Sequence, residues 1–355
     1  MRRRDSFKST NSKIMNTLLQ FIGSLLLSFT INNVFAQTAQ EFIDSGRIRS
    51  GLGKLNEAIE DYNKAIAMSP DNSSYYMSRG TVKYKMGDYS GASEDYQKAV
   101  DLEPDHWGIY SLLGYSKYSL GDYNGAIEEY NKTLVNNPLD ESVLAWRADA
   151  KNMLSDFKGA LEDCNSAIKL KQGNAESFFN RGIAKYSLGD KPGAIDDLNK
   201  SIELRTDYNQ AYLKLSRIKS ELGDNQGAIG ILNKAIKIYP DDLSLFSNRA
   251  NIKYDSGDYE GAIEDYTKTI QLTSNYPLPY INRGNTKLKL NDFDGAIEDF
   301  DIAIGLDPKN ANTYFSRGYA KQLKGEINTA CSDFKKSGEL GNEYAKKLYL
   351  EGCNK

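Results

Sequence analysis

The sequence is poor in the residue types that most often carry catalysis or bind metals. Among its 355 residues there are one histidine, three cysteines and two tryptophans. A catalytic triad and a histidine-based zinc site both depend on histidine, and His106 stands alone. The three cysteines are too far apart in the chain for a cysteine-rich metal cluster. We therefore expect no metal site and no cofactor.

Carboxylate pairs are abundant, but their distribution argues against acid–base catalysis. Glu264-Asp265 and Glu298-Asp299 are two examples, and similar pairs recur along most of the chain. A reaction needs one site rather than many copies of it, so these carboxylates are expected to be solvated or ion-paired. The sequence predicts a chain that is not an enzyme.

The beginning of the chain differs from the rest. It combines basic residues such as Arg2, Arg3 and Lys8 with an uncharged apolar run over residues 18–31 and with small residues around Ala36. This pattern predicts a secretory signal peptide over residues 1–36 and an exported protein, periplasmic or secreted. The alternative is an uncleaved anchor, but a run of about 14 residues is shorter than the ~20 that span a bilayer. No stable membrane insertion is expected after cleavage.

The overall charge is mildly acidic. The sequence has 45 basic and 48 acidic residues, a formal net charge of −3, and loss of the leader would remove more basic than acidic residues. Proteins that bind nucleic acids carry a basic face. A nucleic-acid partner is therefore not expected.

The chain is dominated by a repeat of one fixed length. Segments similar to residues 257–266 recur along almost all of it, and their central alanine returns every 34 residues without insertion or deletion. The nine alanines are Ala58, Ala92, Ala126, Ala160, Ala194, Ala228, Ala262, Ala296 and Ala330. A glycine-aspartate pair before most of them is typical of a tight turn between two helices. The repeat is therefore predicted to be a helical hairpin.

Several columns of the repeat keep their character when position 1 is set at Ala39. Position 4 is aromatic or leucine, position 8 is always small, and position 32 is proline in five repeats of nine. This pattern resembles the tetratricopeptide repeat over about residues 39–344. The resemblance implies an all-α, right-handed α-solenoid of nine helix-turn-helix repeats, closed by a C-terminal helix.

The predicted organisation has three parts. Residues 1–36 form the signal peptide, residues 37–344 the repeat array, and residues 345–355 a C-terminal capping helix and tail. Ala345, Leu348 and Leu350 are expected to form the apolar face of this closing helix. The repeats begin at residues 39, 73, 107, 141, 175, 209, 243, 277 and 311.

Basic residues form a stripe along the first helix of the repeats. Position 7 is arginine in six repeats, and every one of these repeats has an aspartate at position 23 of the second helix. The sixth repeat instead has Leu215 and Ile231 at these two positions. One interpretation is a surface for anionic ligands; the other, which the paired columns favour, is a set of ion pairs within the scaffold.

The resemblance implies that positions 2, 5, 6, 9, 12 and 13 of the first helices face a groove that holds extended peptides or partner helices. Tyrosines and asparagines are frequent there, and both suit peptide binding. The candidate peptide-binding residues are Tyr84, Tyr118, Tyr186, Asn248, Asn251, Tyr254, Asn282 and Asn285. We prefer the patch of Tyr254 and the four asparagines. The alternative is that these asparagines only belong to the Asn-Arg-Gly run of this repeat subtype.

Two of the three cysteines are candidates for a disulfide. Cys331 lies near the start of the last second helix, and Cys353 near the end of a segment that is expected to fold back antiparallel to it. The antiparallel arrangement would bring them together, and an oxidising compartment would allow the bond. Cys164, at an apolar core position, is expected to be a small buried residue.

The sequence thus predicts a non-catalytic scaffold for protein–protein interaction. Its groove would bind an extended peptide or a partner segment, and neither a nucleic acid nor a cofactor is expected. The alternative is an accessory subunit of the cell envelope that binds carbohydrate through the same aromatic residues or presents an enzyme.

Overall fold

The computed structural model describes residues 38–353, which form α-helices joined by short turns and contain no β-strand. None of the described helices is long and apolar enough to cross a bilayer. The leader predicted over residues 1–36 lies outside the described residues.

The chain divides into two compact units, Met1–Ala150 and Lys151–Lys355. In the first unit the helices are α1 (Ala39–Gly51), α2 (Leu55–Met68), α3 (Ser73–Lys85), α4 (Tyr89–Leu102), α5 (Trp107–Ser119) and α6 (Tyr123–Asn136). Helix α7 (Glu141–Met153) begins in this unit and ends just inside the second.

The second unit continues the same pattern of helices. Its helices are α8 (Phe157–Leu170), α9 (Ala175–Ser187), α10 (Lys191–Leu204), α11 (Asn209–Glu221), α12 (Asn225–Ile238), α13 (Leu243–Asp255), α14 (Tyr259–Leu272), α15 (Pro277–Lys289), α16 (Phe293–Leu306), α17 (Ala311–Lys324), α18 (Ile327–Glu339) and α19 (Glu343–Leu348). The prediction of an all-α repeat fold, with nine helix-turn-helix pairs and a closing helix, is confirmed over residues 38–353.

The turn between the two helices of a repeat follows from its glycine-aspartate pair. Gly257 has φ +84°, a left-handed conformation that ends α13 at little steric cost. Asp258 then begins α14, because its side chain accepts a hydrogen bond from the backbone N–H of Gly261 at 3.0 Å. In two repeats Ser155 and Asn291 take the left-handed position instead, with φ +64° and +60°.

The small residue at position 8 makes room for the ring at position 24 within the same repeat. A Cβ atom added to Gly284 would lie 2.8 Å from Cε1 of Phe300, which is too close for a real contact. Phe300 is fully buried. Gly114 and Tyr130 repeat this arrangement in the first unit, at 2.7 Å. The two helices of a hairpin therefore approach closely, and one large ring fills the space between them.

The chain closes with α19 and a π-helical turn, Tyr349–Cys353. Ala345 is buried as expected, but the expectation that Leu350 belongs to the apolar face was wrong, because Leu350 is exposed. The wider π turn shifts the register, so Tyr349 is half-buried instead.

The structure joins Cys353 to Cys331 in a disulfide, with Cα atoms 5.6 Å apart. That this bond forms in the cell stays a prediction, since it also needs an oxidising compartment. Cys164 is fully buried, as expected for an apolar core position.

Candidate functional site

The basic stripe is used inside the scaffold. In five repeats the arginine at position 7 donates two hydrogen bonds, at 2.5–3.0 Å, to the aspartate at position 23. These pairs are Arg79–Asp95, Arg181–Asp197, Arg249–Asp265, Arg283–Asp299 and Arg317–Asp333. The prediction of ion pairs within the scaffold is therefore confirmed.

Further contacts saturate these ion pairs. Asp265, which is 3% exposed, also receives the ammonium group of Lys253 at 3.0 Å. The third guanidinium nitrogen of Arg249, Nη1, donates to the side-chain oxygen of Asn233 in the preceding repeat at 2.5 Å. The stripe thus links neighbouring repeats, and its charges are neutralised where they are desolvated. The interpretation of the stripe as an anion-binding surface has no support in this geometry.

A pocket of about 360 Å³ lies in the second unit, between the first helices of the seventh and eighth repeats. Helix α13 contributes Asn251, Tyr254 and Asp255, and helix α15 contributes Asn282 and Asn285. The ring of Tyr266, from α14, completes the lining. Four of the five residues of the preferred patch therefore line one cavity.

Tyr266 fixes the orientation of one amide in this pocket. Its hydroxyl donates to Oδ1 of Asn251 at 2.6 Å, so the NH₂ group of Asn251 remains as a donor. Burial of the phenol raises the pKa of Tyr266 far above its usual range, and the nearby carboxylate of Asp255 adds to the effect. Tyr266 is therefore a neutral hydrogen-bond donor at any physiological pH.

The other two asparagines of the pocket have amide groups that the scaffold does not use. Among the described residues, no hydrogen bond involves the side-chain amides of Asn282 and Asn285, and both residues are half-buried. Tyr254 packs beside them, with its ring 5.6 Å from that of Tyr259. The pocket thus presents donors, acceptors and a carboxylate against two aromatic rings.

Asn248 does not line this pocket. Its side-chain amide donates to the backbone oxygen of Ser244 at 2.8 Å, and the residue is exposed. This contact within α13 agrees with the alternative stated above, in which the asparagine belongs to the repeat and does not bind a ligand.

The three other predicted tyrosines do not line this pocket, and their hydroxyl groups already have partners. The hydroxyl of Tyr186 donates to the carboxylate of Glu221, and that of Tyr118 donates to Asp149 at 2.8 Å. The hydroxyl of Tyr84 lies 2.6 Å from that of Ser119. Tyr84 and Tyr118 belong to the first unit.

Phe179 and Asn180 occupy positions 5 and 6 of the fifth repeat, which the resemblance places in the groove, but both residues are buried. Phe179 is 8% exposed and packs against Tyr208, with ring centroids 4.8 Å apart. Asn180 is 1% exposed, and its backbone oxygen accepts a hydrogen bond from the side chain of Asn152. The expectation that they line a groove was therefore wrong, because the neighbouring helices cover them.

The sequence reasoning missed Asp255 and Tyr266 as lining residues. Asp255 occupies position 13, one of the positions that the resemblance places in the groove, so the signal was available. Tyr266 occupies position 24, which reads as a core column, and its ring is buried as expected. Tyr266 nevertheless lines the pocket, where its hydroxyl bonds to Asn251. No cluster of possible metal ligands occurs within residues 38–353.

Models of this repeat family match the chain in several segments. A model described as "TPR repeat" matches residues 46–87, 80–121, 250–291 and 284–325. Two models described as "Tetratricopeptide repeat" match residues 210–242 and 111–175. A comparison with curated proteins finds no match.

Solved structures with the same repeat are similar to this chain. A tetratricopeptide repeat protein from Parabacteroides merdae is 21% identical, with a TM-score of 0.50, and the match covers 73% of this chain and 98% of that one. The crystal structure of MamA protein is 26% identical over 47% of this chain and 92% of that one, with a TM-score of 0.42. The first of these shows the shared fold. With the matched repeat models and the nine helix pairs, it establishes that this chain belongs to the tetratricopeptide repeat family.

Proposed function

We propose that this chain is a non-catalytic scaffold that binds an extended segment of a partner protein in the pocket of the seventh and eighth repeats. The observation that carries the proposal is the unused polar lining of that pocket. Asn282 and Asn285 offer amides without partners among the described residues, and Asn251 offers a donor fixed by Tyr266. Tetratricopeptide repeat proteins bind other proteins or peptides, which supports the same conclusion.

An amide lining of this kind suits the backbone of a peptide. Each peptide unit has one donor and one acceptor, and an asparagine side chain can satisfy both. The ring of Tyr254 would pack against the peptide at a low entropic cost. Asp255, at the edge of the lining, would favour a donor or a positive charge on the ligand.

Selection of linear peptides against the purified chain would test this proposal. Binders taken from a random phage-displayed library are resynthesised and titrated calorimetrically against the wild type, Asn282→Ala and Asn285→Ala. We expect each substitution to weaken binding by roughly tenfold, since each removes a pair of hydrogen bonds at the centre of the pocket. Methylation of single backbone nitrogens in the peptide should weaken binding at the same positions.

Asn248→Ala is the matched control, because Asn248 is an asparagine of α13, a helix that contributes to the pocket, but does not itself line the pocket. Its affinity should equal that of the wild type. Wild-type affinity in both Asn282→Ala and Asn285→Ala would contradict the proposal. Binding of a glycan array in the absence of any peptide binder would favour the carbohydrate-binding alternative instead.

We also propose that the chain is exported and acts outside the cytoplasm, without a nucleic-acid partner. The basic and apolar leader of residues 1–36 supports export, and the position of Cys331 beside Cys353 is compatible with an oxidising compartment. N-terminal sequencing of the mature chain should begin at Gln37. Mass analysis of the unreduced protein that finds both thiols free would contradict the predicted disulfide.

A further inference from the structure

The first unit holds a second surface with a different chemistry. Three aromatic side chains from the first helices of the second, third and fourth repeats form a continuous row. The ring centroids of Tyr84 and Tyr115 are 5.2 Å apart, and those of Tyr115 and Trp146 are 5.3 Å apart. Tyr115 is 39% exposed, whereas Tyr84 and Trp146 are half-buried. The row therefore presents aromatic surface to solvent.

Asp149 lies beside this row. It follows Trp146 by three residues on α7, so both side chains emerge from the same side of that helix. Tyr118 follows Tyr115 by the same interval on α5, and its hydroxyl donates to Oδ2 of Asp149 at 2.8 Å. Helices α5 and α7 are thus joined by two adjacent contacts. One contact is between Tyr115 and Trp146, and the other is between Tyr118 and Asp149.

Asp149 differs from the buried carboxylates at position 23 of the repeats in having no basic partner among the described residues. Glu129, in the same unit, is paired with Lys117 at 2.7 Å and with Lys132 at 2.9 Å. Within residues 38–353 no lysine or arginine forms an ion pair with Asp149, and Tyr118 is its one side-chain donor. Burial raises the pKa of Asp149, although the hydrogen bond from Tyr118 opposes the shift.

A buried hydroxyl without a partner lies next to the same cluster. Tyr130 is fully buried, and its hydroxyl has no hydrogen bond among the described residues. Its ring centroid is 6.3 Å from that of Trp146. Burial raises the pKa of Tyr130, and the neighbouring side chains of Tyr115 and Asp149 raise it further.

We propose that Tyr84, Tyr115, Trp146 and Asp149 form a subsite for the guanidinium group of an arginine in an extended segment of a partner protein. The planar cation would stack on the ring of Tyr115 or Trp146, whose faces carry negative electrostatic potential. Its N–H groups would reach the free oxygen of Asp149 and supply the positive charge that the scaffold does not provide. The acidic balance of the chain, formally −3, favours the same ligand charge.

This proposal is independent of the pocket in the seventh and eighth repeats, because no residue is shared and each can fail alone. Tryptophan fluorescence offers a direct test, since the chain has two tryptophans, Trp107 and Trp146. In the Trp107→Phe variant the emission comes from Trp146 alone. The probe is the blocked tripeptide acetyl-Gly-Arg-Gly-amide, and its control is the same peptide with citrulline, which has the shape of arginine without its charge.

We expect the arginine peptide to change the Trp146 emission in a saturable way and the citrulline peptide to bind at least roughly tenfold more weakly. Asp149→Asn in the Trp107→Phe background should weaken binding of the arginine peptide by a similar factor. Tyr115→Leu, a substitution at an exposed position, should also weaken it. Asn285→Ala in the same background should leave it unchanged.

Three results would overturn the proposal. The first is no saturable response to the arginine peptide, and the second is an equal response to the citrulline peptide. The third is an unchanged affinity in Asp149→Asn. A saturable response to maltotriose with none to the arginine peptide would assign the aromatic row to a neutral sugar and would equally overturn it. Circular dichroism melting of each variant separates loss of the subsite from loss of the fold.

Discussion

The sixth and seventh repeats have residues of opposite polarity at the same two positions between their helices. In the seventh repeat, position 7 and position 23 are Arg249 and Asp265, which form a buried ion pair. In the sixth repeat the same positions are Leu215, fully buried, and Ile231, which packs against the same apolar cluster. Both repeats belong to the second unit and have helices of the same lengths.

The carboxylate that the lysine at position 11 contacts depends on the residues at positions 7 and 23. In the seventh repeat Lys253 adds its charge to Asp265 at 3.0 Å. In the sixth repeat, where position 23 is apolar, Lys219 instead contacts Asp224 in the turn at 2.6 Å. The repeat therefore tolerates an apolar pair or a neutralised polar pair. In neither of these two repeats does position 7 or position 23 carry an unpaired charge.

This comparison separates the polar side chains that stabilise the scaffold from those that remain available for binding. Arginines at position 7 are nearly buried and neutralised by aspartate, so they belong to the first group. The asparagines of the pocket and Asp149 belong to the second, because the scaffold leaves part of their bonding capacity unused. A function based on the arginine stripe is therefore less consistent with the structure than one based on the polar groups of the first helices.

The largest effect is expected from breaking the pair on one side. Asp265→Ala leaves Arg249 and Lys253 without their carboxylate in a site where Asp265 was 3% exposed. Removal of one partner of a buried ion pair costs about 3–5 kcal/mol. Urea unfolding, followed by circular dichroism, should show this loss. The control is Glu264→Ala, which removes the adjacent exposed carboxylate and should change stability by no more than about 0.5 kcal/mol.

An intermediate effect is expected when the charge is kept and the shape is changed. Arg249→Lys cannot hold both oxygens of Asp265 and also reach Asn233 in the preceding repeat. Hydrogen bonds to charged groups contribute about 1.5–3 kcal/mol, and the loss of unfolding free energy should fall in that range. Arg217→Lys, at a side chain that is 70% exposed, is the control and should be nearly neutral. Equal stability of Arg249→Lys and wild type would show that charge alone matters here.

Much of the fold could be predicted from these columns, whereas the site could be predicted only in part. A 34-residue period, a small position 8 and a turn glycine each impose a local geometry, so the helix pairs followed directly. Ion pairs could be inferred because arginine at position 7 and aspartate at position 23 vary together between repeats of one chain. That inference needs no second sequence.

The pocket depends on which polar groups are already used, and the sequence does not show that. Asn248 and Asn251 have the same side chain on the same helix, but one bonds to its own helix and the other to Tyr266. Asn180 occupies the same column as Asn248 and is buried. These differences arise from packing between neighbouring repeats. The exposed Leu350 has a similar origin, since a π turn cannot be read from a short apolar pattern.

A smaller effect, of opposite sign, is expected at Asp149, which has no basic partner within residues 38–353. The folded-state pKa of Asp149 is raised by burial, so its contribution to stability is present below the unfolded-state pKa and is lost as the pH rises through the folded-state value. An ionised carboxylate at this half-buried site would have, within residues 38–353, the neutral hydroxyl of Tyr118 as its one side-chain donor. Asp149→Asn should therefore raise Tm by a few degrees at pH 7.

The pH dependence provides the check on this explanation. Below about pH 3.9, the usual pKa of an aspartate, Asp149 is protonated in both states and the advantage of Asp149→Asn should disappear. Measuring both proteins in parallel cancels the acid sensitivity of the shared ion pairs. A lower Tm for Asp149→Asn at pH 7 would mean that the charge at Asp149 stabilises the fold, in contrast to our assignment.

The smallest effect is expected from the double substitution Arg249→Leu with Asp265→Ile, which gives the seventh repeat the residues of the sixth. Replacing a buried ion pair with well-packed apolar residues is often neutral or stabilising, so the change in unfolding free energy should stay within about 1 kcal/mol or favour the variant. Lys253 would lose Asp265 but could turn to Asp258, the counterpart of the contact between Lys219 and Asp224. Asp265→Ala alone is expected to cost several times more. With the single variants Arg249→Leu and Asp265→Ile, the double variant completes a cycle that measures the coupling between the two positions. Peptide binding should survive the double substitution, since neither residue lines the pocket. Loss of peptide binding would mean that the ion pair also sets the spacing of α13 and α15. Scaffold groups and binding groups could then no longer be treated as separate sets.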